Sequence, residues 1–257
     1  MLNLLMWSVV ASAAPCEAVA VGDLLAVHGP AVLVLGERRG SQPDLARAGR
    51  LVRRLAELGP VTLALDAVPA SGQRSLDALA DGELDAEALR DALAWDAAER
   101  PFEPYQPLLS ASRWGVDVLA AGFEGAAAPT GRRFPIPAGY AAALHDAMGE
   151  HPVSPELEDR FERGLAWQDN RTAQLAQQGW QREGVLVVLA DRARVEGGLG
   201  VSWQLEALLP GVPVQRVLLA DGVDPVCVAG DQVWTTAWES LVKRVDASLH
   251  PARTASE

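Results

Sequence analysis

Two cysteines, four histidines and two tyrosines in 257 residues leave little of what usually binds metals or haem. Cys16 and Cys227 are too few and too far apart for a structural zinc site. They read either as a pair joined in an oxidising compartment or as two buried thiols. The histidines, His28, His145, His151 and His250, include no two at the i, i+4 spacing of a helical zinc site, so no metal is expected. Positive charge is also scarce: 22 Lys and Arg against 34 Asp and Glu give a net charge of −12. That argues against nucleic acid as a partner and against docking on an anionic membrane. No apolar run reaches the roughly 18–20 residues that span a bilayer. There is no G-x-S-x-G nucleophile elbow. Gly198-Leu199-Gly200 lacks the third glycine of a dinucleotide fingerprint and reads as a tight turn.

What is present describes a globular α/β protein. The hydrophobic share of 49% and the length suit one large domain, over residues 17–243. Residues 1–14 form a candidate signal peptide, an apolar stretch ending in the A-x-A pattern Ala11-Ser12-Ala13. Export, as to a periplasm, is the expectation, with an apolar first element of a cytoplasmic domain as the alternative. Residues 246–257 read as a disordered tail.

The chain is organised around AVLVLGERRGSQPD, residues 31–44. Ala31 to Leu35 does not alternate, so it reads as a strand buried on both faces. Ser41 reads as the N-cap of the next helix, Pro43 suits its first turn, and Asp44 stands where a capping box puts its acid. The helix runs to Leu58 with Leu45, Ala48, Leu51, Val52 and Leu55 on one face, and Arg47, Arg50, Arg53 and Arg54 read as solvated. Further strands are expected at residues 61–65, 116–120, 185–189 and 214–219, with one or two short strands or an edge hairpin within 227–238. A helical insertion, in which Asp85 is an N-cap, fills 71–115. Helices are expected over 139–148, from Ser154 to about Gln178, and after Ser202 as a cap. The pattern predicts a mostly parallel central sheet with helices on both faces.

Glu37, Arg38 and Arg39 thus fall at the carboxyl end of a strand, where ligands bind in open α/β sheets. Asp66, Asp191 and Arg192 reach the same edge, and Asp66 would approach Glu37 if their strands are neighbours. Arginine forks at a helix start would bind an anion. Paired acids would do acid–base work. A salt-bridged network that only holds the sheet edge is the structural alternative. Tyr105 and Tyr140 are candidate iron ligands. Against that stand a packing role for Tyr105, with its hydroxyl on a backbone group, and an ordinary first-turn position for Tyr140.

Several blocks, in order, resemble the ChaN-like haem-binding uptake proteins of the Tiki superfamily, which also takes in erythromycin-esterase-like and TraB-like proteins. They are VLVLGERRG, VTLALDAVPASGQRSLDAL, PFEPYQPLL with VDVLAAG, WQDNRTAQLA, and VLVVLADRARVEGGLGVS. The family's G-E-x-H is kept at Gly36 and Glu37, but Arg39 stands where the histidine is expected. Asp66 replaces a glutamate. Ala190 and Ala193 replace the glycine and histidine of G-x-x-H, while Gly198, Gly200 and Val201 keep the turn. In the R-D-x-x-M-A block Asp169 is kept, with Gln168 for Arg and Thr172 for Met. Without both imidazoles the usual metal ligands and general base are gone, and arginine, always protonated, replaces neither.

The resemblance therefore implies a degenerate, non-catalytic member that binds haem or another anionic small ligand, with a homodimer as a candidate assembly. Its candidate ligand-binding residues are Glu37, Arg38, Arg39, Asp66, Tyr105, Asp169, Asp191 and Arg192, and none is assigned as catalytic. The alternatives are an esterase-like hydrolase using Glu37 and Asp66, or a structural, partner-binding pseudoenzyme.

Overall fold

A computed structural model describes residues 17–27, 29–95, 100–124, 134–142, 154–220 and 231–235. The candidate signal peptide, both cysteines, all four histidines, the tail and most of the helix expected over 139–148 lie outside these residues. In chain order the strands are β1 (Glu17–Ala18), β2 (Ala31–Glu37), β3 (Val61–Pro69), β4 (Val116–Gly122), β5 (Val185–Asp191), β6 (Val214–Ala220) and β7 (Gln232–Thr235). The helices are α1 (Val21–Leu25), α2 (Gln42–Leu58), α3 (Gln73–Ala80), α4 (Ala86–Ala92), α5 (Gln106–Leu109), α6 (Pro155–Gly179) and α7 (Val201–Leu208). Among the described residues no helix is long and apolar enough to cross a membrane.

The strands form one sheet in the order β1-β7-β6-β2-β5-β3-β4, every pairing parallel. The central strands are apolar throughout because both faces are covered. Leu33, Leu35, Leu63, Leu65, Val187 and Leu189 point to one core, under α2 and the insertion. Val32, Val34, Ala64, Leu186 and Val188 point to a second, under α6 and α7. Strand alternation, two residues per repeat, assigns neighbouring positions to opposite layers.

Several expectations are corrected. β2 and β3 are not neighbours, because β5 lies between them, so Glu37 is in register with Asp191 and not with the β3 acid. β2 and β3 also run longer than their apolar cores, so Glu37 and Asp66 are strand residues. Within 227–238 the described residues hold one short strand, β7, which pairs parallel with β6 and with the short β1. α7 starts after Gly200, and Ser202 lies buried inside it.

Two caps behave as expected. Ser154 accepts from the Leu157 amide at the start of α6, and Asp85 accepts from the Ala88 amide at 2.9 Å. Replacing Asp85 by Ala removes that acceptor, and a urea titration is expected to show a loss of about 1 kcal/mol.

Candidate functional site

The site begins where β2 ends. A Cβ on Gly36 would sit 2.9 Å from the Leu218 side chain and 3.3 Å from the Arg192 backbone. Glycine therefore lets the segment after β5 close over the strand end. One residue on, Glu37 is only 3% exposed. Its Oε1 accepts a short hydrogen bond from the Tyr105 hydroxyl, which in turn accepts from the Gly40 amide at 3.3 Å. Its Oε2 is buried without a partner. Burial raises the Glu37 pKa above the usual carboxylate range; Asp191 adds to the rise, while Tyr105, Arg100 and the Gly40 amide oppose it.

Arg38 turns away from this group. Its Nε and Nη2 grip both oxygens of Asp44 at 2.8 and 2.7 Å, and its own amide donates to Asp44 at 3.1 Å. Asp44 therefore serves Arg38 and Arg47 rather than closing a capping box, and the Ser41 side chain makes no cap bond. Arg47 is fully buried, contrary to its expected solvated position. It donates to Asp44 and to the carbonyls of Ala220 and Trp234 at 2.7 and 2.9 Å.

A second network centres on Arg194. Its Nε donates to Asp169 Oδ1 at 2.7 Å, its Nη1 makes a short contact to Asp66 Oδ1, and its Nη2 donates to Thr172 Oγ1 at 3.1 Å. Thr172 donates to Asp66 at 3.2 Å, and Tyr140 donates to Asp169 Oδ2 at 2.7 Å. Burial works against the Arg194 charge, but the two carboxylates outweigh it. Gly200 makes the loop possible, since a Cβ there would lie 2.0 Å from the Arg194 carbonyl oxygen. Tyr140 is thus more than a first-turn residue: its phenol is committed to a buried acid.

Between the networks lies a cavity of about 350 Å³, in the range of small-molecule sites. Of the residues expected at the site, Glu37, Arg39, Asp66 and Asp191 line it. Arg39 Nε meets Asp191 at 3.3 Å in a largely exposed pair. Arg38, Tyr105, Asp169 and Arg192 are not among the lining residues, and Arg192 reaches Glu196 at 3.4 Å. Asp66 belongs to the Arg194 network and Glu37 to the Tyr105 pair, so the two acids do not meet as expected.

Arg100, Arg194, Ala193, Phe123, Leu165 and Gln168 complete the wall. The sequence signals for Arg194 and Arg100 were weak. Arg194 immediately follows Ala193, which stands for a family histidine, and Arg100 opens the proline-rich RPFEPYQP. Among the described residues no group of three or more His, Cys, Asp or Glu side chains is placed to hold a metal ion.

Comparison with solved structures shows this fold elsewhere. A structure titled cofacial heme binding to ChaN of Campylobacter jejuni superposes with a TM-score of 0.63 at 18% identity, covering 80% of this chain and 86% of that one. The type III effector HopBA1 superposes at 0.52 and 11% identity, covering 87% and 96%. At these identities the likeness is one of fold. No curated protein matches the chain. The model of one family, described as haem-binding uptake, Tiki superfamily, ChaN, matches residues 25–205. With most of its length matched, and with the sheet-edge site described above, the chain belongs to the ChaN haem-binding uptake family of the Tiki superfamily.

Proposed function

We propose that this protein is a non-catalytic binding protein of haem uptake, holding haem or another anionic molecule with an apolar body at the carboxyl edge of the sheet. One observation carries the reading: the cavity joins arginines to an apolar path. Arg39 and Arg100 line it beside Phe123 and Leu165. Leu165 and Gln168 are shared with an adjoining groove of about 220 Å³ that runs along α6 to Phe161 and Leu157. Phe161 is 49% exposed and Leu157 39%, on one helical face with Leu165.

Haem offers two carboxylates and a flat apolar ring, and this set fits those parts. Arg39 and Arg100 would hold carboxylates, and the α6 stripe would cover the ring. The described phenols do not fit the iron. Tyr105 and Tyr140 both donate into carboxylates, and burial together with those anions raises the pKa of each. Neither supplies a phenolate ligand in this arrangement. An uptake role also places the protein outside the cytoplasm, in line with the signal peptide expected at residues 1–14.

The test is a haem titration followed at the Soret band and by tryptophan fluorescence. Trp167 reports on the cavity because its ring packs edge-on against Phe123, 6.4 Å away. Saturable binding is expected. Phe161→Asp should weaken it about 10- to 100-fold, the value of one buried phenylalanine. Neither Tyr105→Phe nor Tyr140→Phe should move the Soret band. A titration without saturation would sink the haem reading.

A further inference from the structure

Two buried polar atoms of residues lining the cavity have no hydrogen-bond partner, and they are of opposite sense. One is Glu37 Oε2, an acceptor when ionised; the other is Arg100 Nε, a donor. Native interiors leave few such atoms, and each asks for an explanation. Here both residues are held in place. Tyr105, itself held by the Gly40 amide, fixes one oxygen of Glu37, and the Trp95 indole donates to the Arg100 carbonyl at 3.1 Å.

A ligand that satisfies both atoms must accept from a guanidinium and complement a carboxyl. A carboxylate does so when Glu37 carries a proton. One ligand oxygen then receives the Arg100 N–H, and the other receives the Oε2–H of Glu37.

The surroundings favour that proton. Asp191 on β5 faces Glu37 with like charge, Tyr105 and Arg100 face it from the insertion, and the Gly40 amide faces it from the loop after β2. Arg39, also on that loop, is turned to Asp191, and Asp66 on β3 is neutralised by Arg194. A ligand carboxylate would add a second like charge beside Glu37, and two carboxylates sharing one site do not both stay ionised.

We propose that the cavity carries a subsite for a carboxyl group of the ligand, held between Arg100 and a protonated Glu37, so that capture of the ligand takes up one proton from solvent. This rests on the ligand-binding reading above and adds its recognition chemistry. No covalent bond changes: the proton moves from water or buffer to Glu37 Oε2 and returns on release.

The experiment is calorimetry of haem binding in two buffers of different ionisation enthalpy, across pH 6.5 to 8.5, on wild type, Glu37→Gln and Arg100→Met. Wild type is expected to take up a proton, approaching one per haem at the upper end, with affinity falling up to about tenfold per pH unit. Glu37→Gln, a permanent donor at Oε2, should lose the proton uptake and bind more tightly than wild type at pH 8.5. Arg100→Met should weaken binding about 10- to 100-fold, the value of a charged hydrogen bond.

Haem dimethyl ester separates the two readings. If it binds as tightly as haem, or if Glu37→Gln keeps the pH dependence, the subsite is refuted while haem binding stands. If haem does not bind, the haem reading fails and benzoate becomes the probe. Proton-linked benzoate binding, lost in Arg100→Met, would keep the subsite, and no binding of either probe would overturn it.

Discussion

Arg194→Ala is expected to cost about 3–5 kcal/mol of folding stability, the range for removing one partner of a buried ion pair. In a domain of this size that lowers the melting temperature by roughly 10 °C. The substitution strands two carboxyls, Asp66 and Asp169, whose side chains are 12% and 1% exposed. Thr172 and Tyr140 donate to them but bring no positive charge.

The loss should depend on pH. Burial already raises the Asp169 pKa against the pull of Arg194, and without the guanidinium it rises further. A carboxyl whose folded pKa is raised favours the native state below its unfolded pKa, and that contribution disappears as pH rises through the folded value. The gap between variant and wild type should therefore narrow as pH falls. Thermal melts between pH 5 and 8 measure it; a gap that stays constant, or stays below about 1 kcal/mol, would refute the central role of Arg194. Arg39→Ala is the contrast. Its pair with Asp191 is open to solvent, with side chains 58% and 28% exposed, and should be worth no more than about 1 kcal/mol. That outcome would centre the network at the sheet edge on Arg194, with Arg39 contributing little to the fold.

Arg47→Met is the second large effect, expected at about 3 kcal/mol or more. Methionine keeps the length and bulk of the side chain, so lost packing is minor. What goes is a buried charge that ties α2 to the carboxyl ends of β6 and β7 through Ala220 and Trp234, and that helps hold Asp44. Each carbonyl left dry costs on the order of 1–3 kcal/mol.

The pH signature has the opposite sign to that of Arg194→Ala. Burial pushes the Asp44 pKa up, but the hydrogen bonds from Arg38 and the charges of Arg38 and Arg47 outweigh it and hold it below the usual range. A depressed carboxylate stabilises the fold above its unfolded pKa, near 4, and loses that contribution as pH falls through the folded value. With Arg47 gone the depression shrinks, so acid unfolding should begin at a higher pH. An acid midpoint unchanged from wild type would show that Arg38 alone carries Asp44.

Local pattern was enough for the fold class. Runs such as Ala31 to Leu35 and Val185 to Leu189 are apolar at every position, which only a strand covered on both faces requires. Strand, helix and strand with short joints then imply a parallel sheet, and they place Glu37, Asp66 and Asp191 at one edge. Among the family blocks, VLVLGERRG and VLVVLADRARVEGGLGVS are strands with the turns after them, whereas WQDNRTAQLA lies within α6.

Pairing was not legible. Arg194 and Asp66 are 128 residues apart, and Arg194 and Asp169 come from different elements. Which arginine meets which acid depends on strand order, and β5 entering between β2 and β3 is a property of the assembled sheet. The same holds for Arg47. Its sequence context groups it with Arg50, Arg53 and Arg54, which are exposed, yet β6 and β7 end beside Arg47 and bury that one side chain. Hydrophobic periodicity is set within a few residues of chain; the partner of a charge is set by what the sheet brings beside it.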